Sequence, residues 1–201
     1  MRRGGGGLRL GLADHYGWAV AVTVTADYEV VDRRRIELIE PGRPPAPIHH
    51  VGGPHLLHQS GEPLDDDALA ELVADVRASV VRATSASFDE LAGALGAPIT
   101  SMSIRDWPAD FPRDVAVQRE VPYESRADPI MYRQVLAEGA EARGWEVHRY
   151  TRDVERVAAA VLGERADDVL QRPRTLLGPP WSKDHRMALA ATIAVSAPTS
   201  R

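Results

Sequence analysis

The chain contains no cysteine. That absence removes disulfides, thiolate nucleophiles and thiolate-ligated zinc together, and it fits a reducing, cytoplasmic setting. No apolar run approaches the length of a membrane span. The first residues, 1–7, are basic and glycine-rich but lack the apolar middle of a signal peptide, so they read as a flexible leader. No serine, threonine or lysine stands in a nucleophile motif. No glycine-rich loop opens a helix where it could cradle phosphate, because the run Gly4 to Gly7 precedes a strand. The net charge of −5 argues against a dedicated basic surface but leaves room for a local basic groove.

What is present is ordinary for a globular chain: 201 residues, 44% hydrophobic and 26% charged. That length supports one substantial core and not two comfortable ones. The expected organisation is the leader 1–7, one domain over 8–196 with a long loop at 41–65, and a tail at 197–201.

Leu8 to Ala13 reads as a strand, and Asp14 to Gly17 as a turn. Trp18 to Thr25 is the clearest strand, alternating β-branched and small residues. Glu29 to Ile39 is a third, and connections this short make the three an antiparallel meander. The run Arg33-Arg34-Arg35 argues that strand three is a solvated edge. Residues 41–65, rich in Pro, Gly and His, form a long loop. His49, His50, His55 and His58 fall in it. Their spacing matches no established zinc pattern, so they read as part of a polar loop.

A helix is expected from Asp66 to Leu95, with the acidic run Asp65 to Asp67 suited to its positive end. Ile99 to Ile104 is strand four. An irregular, proline-bearing stretch from Arg105 to Ser125 follows. Ser125 is the expected N-cap of a helix from Arg126 to Arg143. Trp145 to Tyr150 is strand five. Helices from Asp153 to Leu162 and Ala166 to Leu176 come next. Ser182 is the expected cap of a last helix whose apolar body, Met187 to Val195, suits it to lie flat on a sheet.

The order is β-β-β-α-β-α-β-α, an α/β chain with one five-stranded mixed sheet flanked by helices. That order resembles the ribonuclease-H-like fold. From Arg126 to Val195 the chain resembles the Holliday-junction resolvase branch of that superfamily. The family strand "LPVFEY" is met here by Trp145 to Tyr150 (WEVHRY). Its "VK…G.G.A.K..V…L" is met by Val154 to Val157, Gly163 to Ala166, and Val169-Leu170. Its closing "DAADALAIA" is met by Asp184 to Ala194 (DHRMALAATIA).

The carboxylates depart from the family pattern. Ala13 stands where the family has its strand-one Asp, with Asp14 one step later. Arg105 stands where strand four has Glu, with Asp106 next. Asp184 matches the first closing Asp, and Met187 falls on the second. A one-residue shift turns a strand side chain to the other face unless the strand has ended or bulged.

The resemblance implies a nuclease in which converging carboxylates hold two Mg²⁺ or Mn²⁺ ions about 4 Å apart. The expected metal ligands are Asp14, Asp106, Glu124 and Asp184. Asp14 and Asp184 are the expected catalytic carboxylates, with His15 and His185 beside them to move protons near neutral pH. Arg105, Arg113, Arg119 and Arg126, interleaved with aromatics, are the expected nucleic-acid contacts. The expected partners are structured nucleic acid and a second copy of the chain, with no membrane. The alternative function is a non-catalytic binding or assembly module that keeps the fold.

Overall fold

The computed structural model describes residues 6–52 and 64–195. The leader's first five residues, His55, His58 and the tail lie outside the described residues. Strands β1 (Leu8–His15), β2 (Trp18–Val24) and β3 (Val30–Glu37) form the antiparallel meander expected from their short connections. β4 (Ile99–Arg105) and β5 (Glu146–Tyr150) add in parallel on the other side of β1. The order is β3-β2-β1-β4-β5, which puts β1 at the centre and the arginine-bearing β3 at an edge.

The strands alternate and so serve two cores. Leu10, Leu12, Met102 and Ile104 face α1 (Asp66–Ala94) and α3 (Glu124–Glu141), meeting Val76, Phe88, Val135 and Leu136. Ala13, Val20 and Val22 face α4 (Val154–Leu162) and α6 (Lys183–Ala194), meeting Ala158, Leu189 and Ile193. A short α2 (Val115–Gln118) interrupts the irregular stretch, and α5 (Ala166–Leu177) precedes α6. No helix among the described residues is long and apolar enough to cross a membrane.

The last helix starts as expected at Ser182. The Ser182 side chain and the His185 ring cap each other's backbone groups in a reciprocal box. Two other expectations are corrected. The helix after the irregular stretch begins at Glu124, so Ser125 lies inside it and not at its cap. The loop at 41–65 is not uniformly open: Pro47–Gly52 forms a π-helical turn in which Pro47, Ile48 and Gly52 are buried. Asp128 on α3 holds that turn, accepting from the backbone N–H of Ile48 (3.2 Å) and of His49 (2.9 Å).

Burial pushes the Asp128 carboxyl up to about 6, against the two backbone donors that pull it down. A carboxyl raised in the folded state binds its proton more tightly there than in the unfolded chain. Its stabilising effect is therefore full below the ordinary Asp range and is lost as pH rises through about 6. Stability should fall between about pH 4 and 6 by a share of order 3 kcal/mol that Asp128→Asn abolishes. Urea titrations of both proteins across that range measure it, and parallel curves would refute it.

Candidate nucleic-acid interface at the carboxyl ends of the strands

Ligands of open α/β sheets gather at the carboxyl ends of parallel strands. Here those ends belong to β1, β4 and β5. β1 runs on through Asp14 to His15, so its alternation continues. Asp14 therefore turns to the α3 face, where its side chain is 3% exposed and accepts from Arg133 Nε at 2.8 Å. His15 turns to the α6 face, where Nε2 lies 3.2 Å from Asp184 Oδ2. The His15 ring also stacks on Trp18, with centroids 4.1 Å apart. Each Asp has thus taken a cationic or imidazole partner on its own face of the sheet.

Both carboxylates still act on one group. The Tyr150 hydroxyl donates to Leu12 O at 2.6 Å. Burial first, then the Asp14 charge, push this phenol above its ordinary range; Arg105 and Arg133 oppose that, and Asp184 adds to it. Asp14, Arg105, Arg133 and Asp184 therefore all lie within electrostatic reach of the central strand's end.

The other expected site residues divide. Glu124 is 2% exposed and is bound to His49, with Nδ1 to Oε1 at 2.5 Å. It belongs with Asp128 to the α3 face that holds the π-helical turn. Desolvation of Tyr16, with Asp128 and Glu124 as neighbouring negative charges, raises that phenol as well. His185 is committed to the helix cap: its Nδ1 accepts from Ser182 N at 3.2 Å. Burial, with the nearby Arg33 charge, lowers its basicity. The structure does not bring the four expected metal carboxylates together. Among the described residues, no three His, Asp or Glu side chains are arranged to hold a metal ion.

The arginines divide too. Arg119 is spent on structure, donating to Asp66 Oδ1 (2.7 Å) and Leu64 O (2.8 Å). Arg113 is exposed before α2 and does not line the groove. Arg105 and Arg126 do line it. This groove, about 430 Å³, runs along the ends of β4 and α3 and is walled by Arg105, Arg126, Arg133 and Arg152 with one acid, Asp106. Trp107 forms part of the wall, with the Arg149 guanidinium 3.8 Å from its ring centroid. A second hollow of about 340 Å³ shares Arg105 and Arg152 and adds Arg156 and Lys183. Sequence reading missed Arg152 and Lys183. Their signal was position: Arg152 follows the end of β5 by two residues, and Lys183 opens the helix lying over β1.

No protein-family model and no curated protein matches the sequence. The architecture is nevertheless that of the ribonuclease-H-like class, as the element order implied. Within that class the fold is like that of the resolvase RuvC. Thermus thermophilus RuvC in complex with a Holliday junction substrate superposes with a TM-score of 0.52 at 11% identity, covering 94% of this chain and 91% of that one. A second Thermus thermophilus RuvC structure gives 0.52 at 10% identity, covering 93% and 91%. The likeness is one of fold.

The fold class implies divalent metal, and the residues present do not fit it. In the resemblance drawn from the sequence, the four carboxylate positions of the resolvase pattern fall on Ala13, Arg105, Asp184 and Met187. The structure sets all four on the α6 side. Ala13 packs in the core beneath α6, Arg105 Nη2 lies 3.9 Å from Met187 Sδ, and Asp184 stands in the first turn of α6. Mg²⁺ and Mn²⁺ require hard oxygen donors. A methyl, a guanidinium and a thioether stand where those donors would be needed.

Proposed function

We propose that this chain binds structured nucleic acid by its phosphates, in the groove at the carboxyl ends of β4 and β5 beside α3. The observation that carries this reading is Arg105. It has no carboxylate partner among the described residues, and its Nε is buried without a hydrogen-bond acceptor. A buried N–H without an acceptor is costly, and an anion held in the groove that the rest of this half-buried guanidinium lines would supply one. Arg126 and Arg152 extend the positive wall. The net charge of −5 makes this groove a local feature against an acidic background.

The RuvC neighbour was solved with a Holliday junction, so a four-way DNA junction is the first probe, beside duplex, single-stranded DNA and RNA. Metal-dependent cleavage with Mg²⁺ or Mn²⁺ is the reading that the fold alone suggests. The replaced donors speak against it, so phosphate binding is the function proposed.

Fluorescence anisotropy against salt concentration tests the proposal. Affinity should fall steeply as salt rises, with the log–log slope reduced by about 1 for each of Arg126→Gln and Arg152→Gln. The same variants should weaken all sequences alike. Absence of binding to every probe at low salt would end the proposal.

A further inference from the structure

We infer that Arg105, Arg152 and Lys183 form a phosphate-oxyanion pocket in the place of a metal centre, so that nucleic acid is held here without divalent ions. This rests on the phosphate-groove reading above and specifies how its deepest point works.

Two-metal sites stabilise a phosphodiester by setting positive charge against its oxygens. A guanidinium does the same by two parallel charge-assisted hydrogen bonds. Arg105 stands at a carboxylate position of the resolvase pattern, so the charge at that position is reversed. The neighbouring replacements agree with the reversal. Ala13 contributes no anion, and Met187 gives Arg105 only a soft sulfur contact at 3.9 Å. That contact leaves the guanidinium's strong donors without a charged acceptor.

The carboxylates around the 340 Å³ hollow are already taken. Asp153 is bound by Arg156, and Glu155 faces Arg186 at 3.7 Å. Asp184 faces His15 at 3.2 Å. Arg105, Arg152 and Lys183 remain, each lining the hollow and none with a carboxylate in salt-bridge range among the described residues. Arg105 and Arg152 also line the larger groove, so a phosphate in the pocket is continuous with a backbone running along α3.

Two measurements on the full chain test this. Melting is followed against inorganic phosphate, with sodium chloride at matched ionic strength as the reference. Junction binding is followed in chelator and in millimolar Mg²⁺. The wild type should melt higher in phosphate than in chloride, because a ligand that binds only the folded state stabilises it. Arg105→Met should lose that shift and bind the junction roughly tenfold more weakly. Chelator should leave wild-type affinity unchanged.

Phosphate no more stabilising than chloride, or junction binding that collapses in chelator, overturns the pocket. A phosphate shift with no junction binding keeps the pocket and removes the nucleic-acid reading. Junction binding indifferent to Arg105→Met, with no phosphate shift, does the reverse. Should Arg105→Met fail to fold, Arg152→Gln with Lys183→Gln carries the same test from the rim. Loss of the phosphate shift in that double variant supports the pocket, and full retention overturns it.

Discussion

Replacing Gly11 with alanine should destabilise the protein by about 3 kcal/mol or more. Gly11 lies in the middle of the central strand, on the face that α6 covers. A Cβ there would stand 1.9 Å from the carbonyl oxygen of Ala188 and 2.9 Å from Thr192 Cγ2. The carbonyl belongs to the helix backbone and cannot rotate aside. Either α6 lifts from the sheet, exposing the core around Leu189 and Ile193, or the strand bends away. Gly139→Ala is the matched control. It sits within α3 with Phe88 and Thr84 at an ordinary 3.5 Å, so the new methyl should stabilise by up to about 1 kcal/mol through helix propensity. Urea midpoints of both variants decide the point. A neutral Gly11→Ala would mean that α6 is not seated on β1 as described.

Arg133→Met should cost about 3 kcal/mol, because it strands a charge. The Asp14 side chain is 3% exposed and Arg133 is its ionic partner. Removing one member of a buried pair leaves the other uncompensated, whereas removing both is much milder. The double variant Asp14→Asn with Arg133→Met should therefore recover much of the loss. A double-mutant cycle in urea measures that coupling. Additive losses would mean that the pair is not a pair. A coupled result makes Asp14 a structural anchor of α3 against the end of β1, a role different from the metal ligation expected of it.

The two outcomes share a cause that explains what the sequence made legible. Alternation in β1 to β3, the arginines of β3 and the apolar body of α6 fix the sheet order, because burial on both faces leaves little choice of register. The Ser182 cap was equally legible. The site was less so, since it hangs on where elements end. Reading β1 as ending at Ala13 left Asp14 free in a turn to face α6. The strand in fact continues to His15, and that sends Asp14 to the opposite face. Starting α3 at Arg126 left Glu124 in a loop near the groove. The helix starts at Glu124, which sets Glu124 and Asp128 one turn apart, facing the turn at 47–52. Element ends are set by competition between local caps and tertiary contacts, and single residues carry little signal for that contest.

The arginines illustrate a second limit. Arg105, Arg119 and Arg126 look equivalent along the chain. Only packing reveals that Arg119 is tied to the start of α1, that Arg126 lies 5.9 Å over the Phe111 ring, and that Arg105 has no carboxylate partner among the described residues. The proposed phosphate groove rests on that uneven pairing.

In the proposed pocket, cationic and apolar groups occupy the place of a metal centre. Titration of the wild-type protein with Mn²⁺, followed by the paramagnetic resonance of the free ion, tests it most directly. The free-ion signal should follow the added manganese with no stoichiometric loss, and Asp184→Asn should behave identically. Uptake of one or two ions per chain by the wild type, abolished in Asp184→Asn, would contradict it.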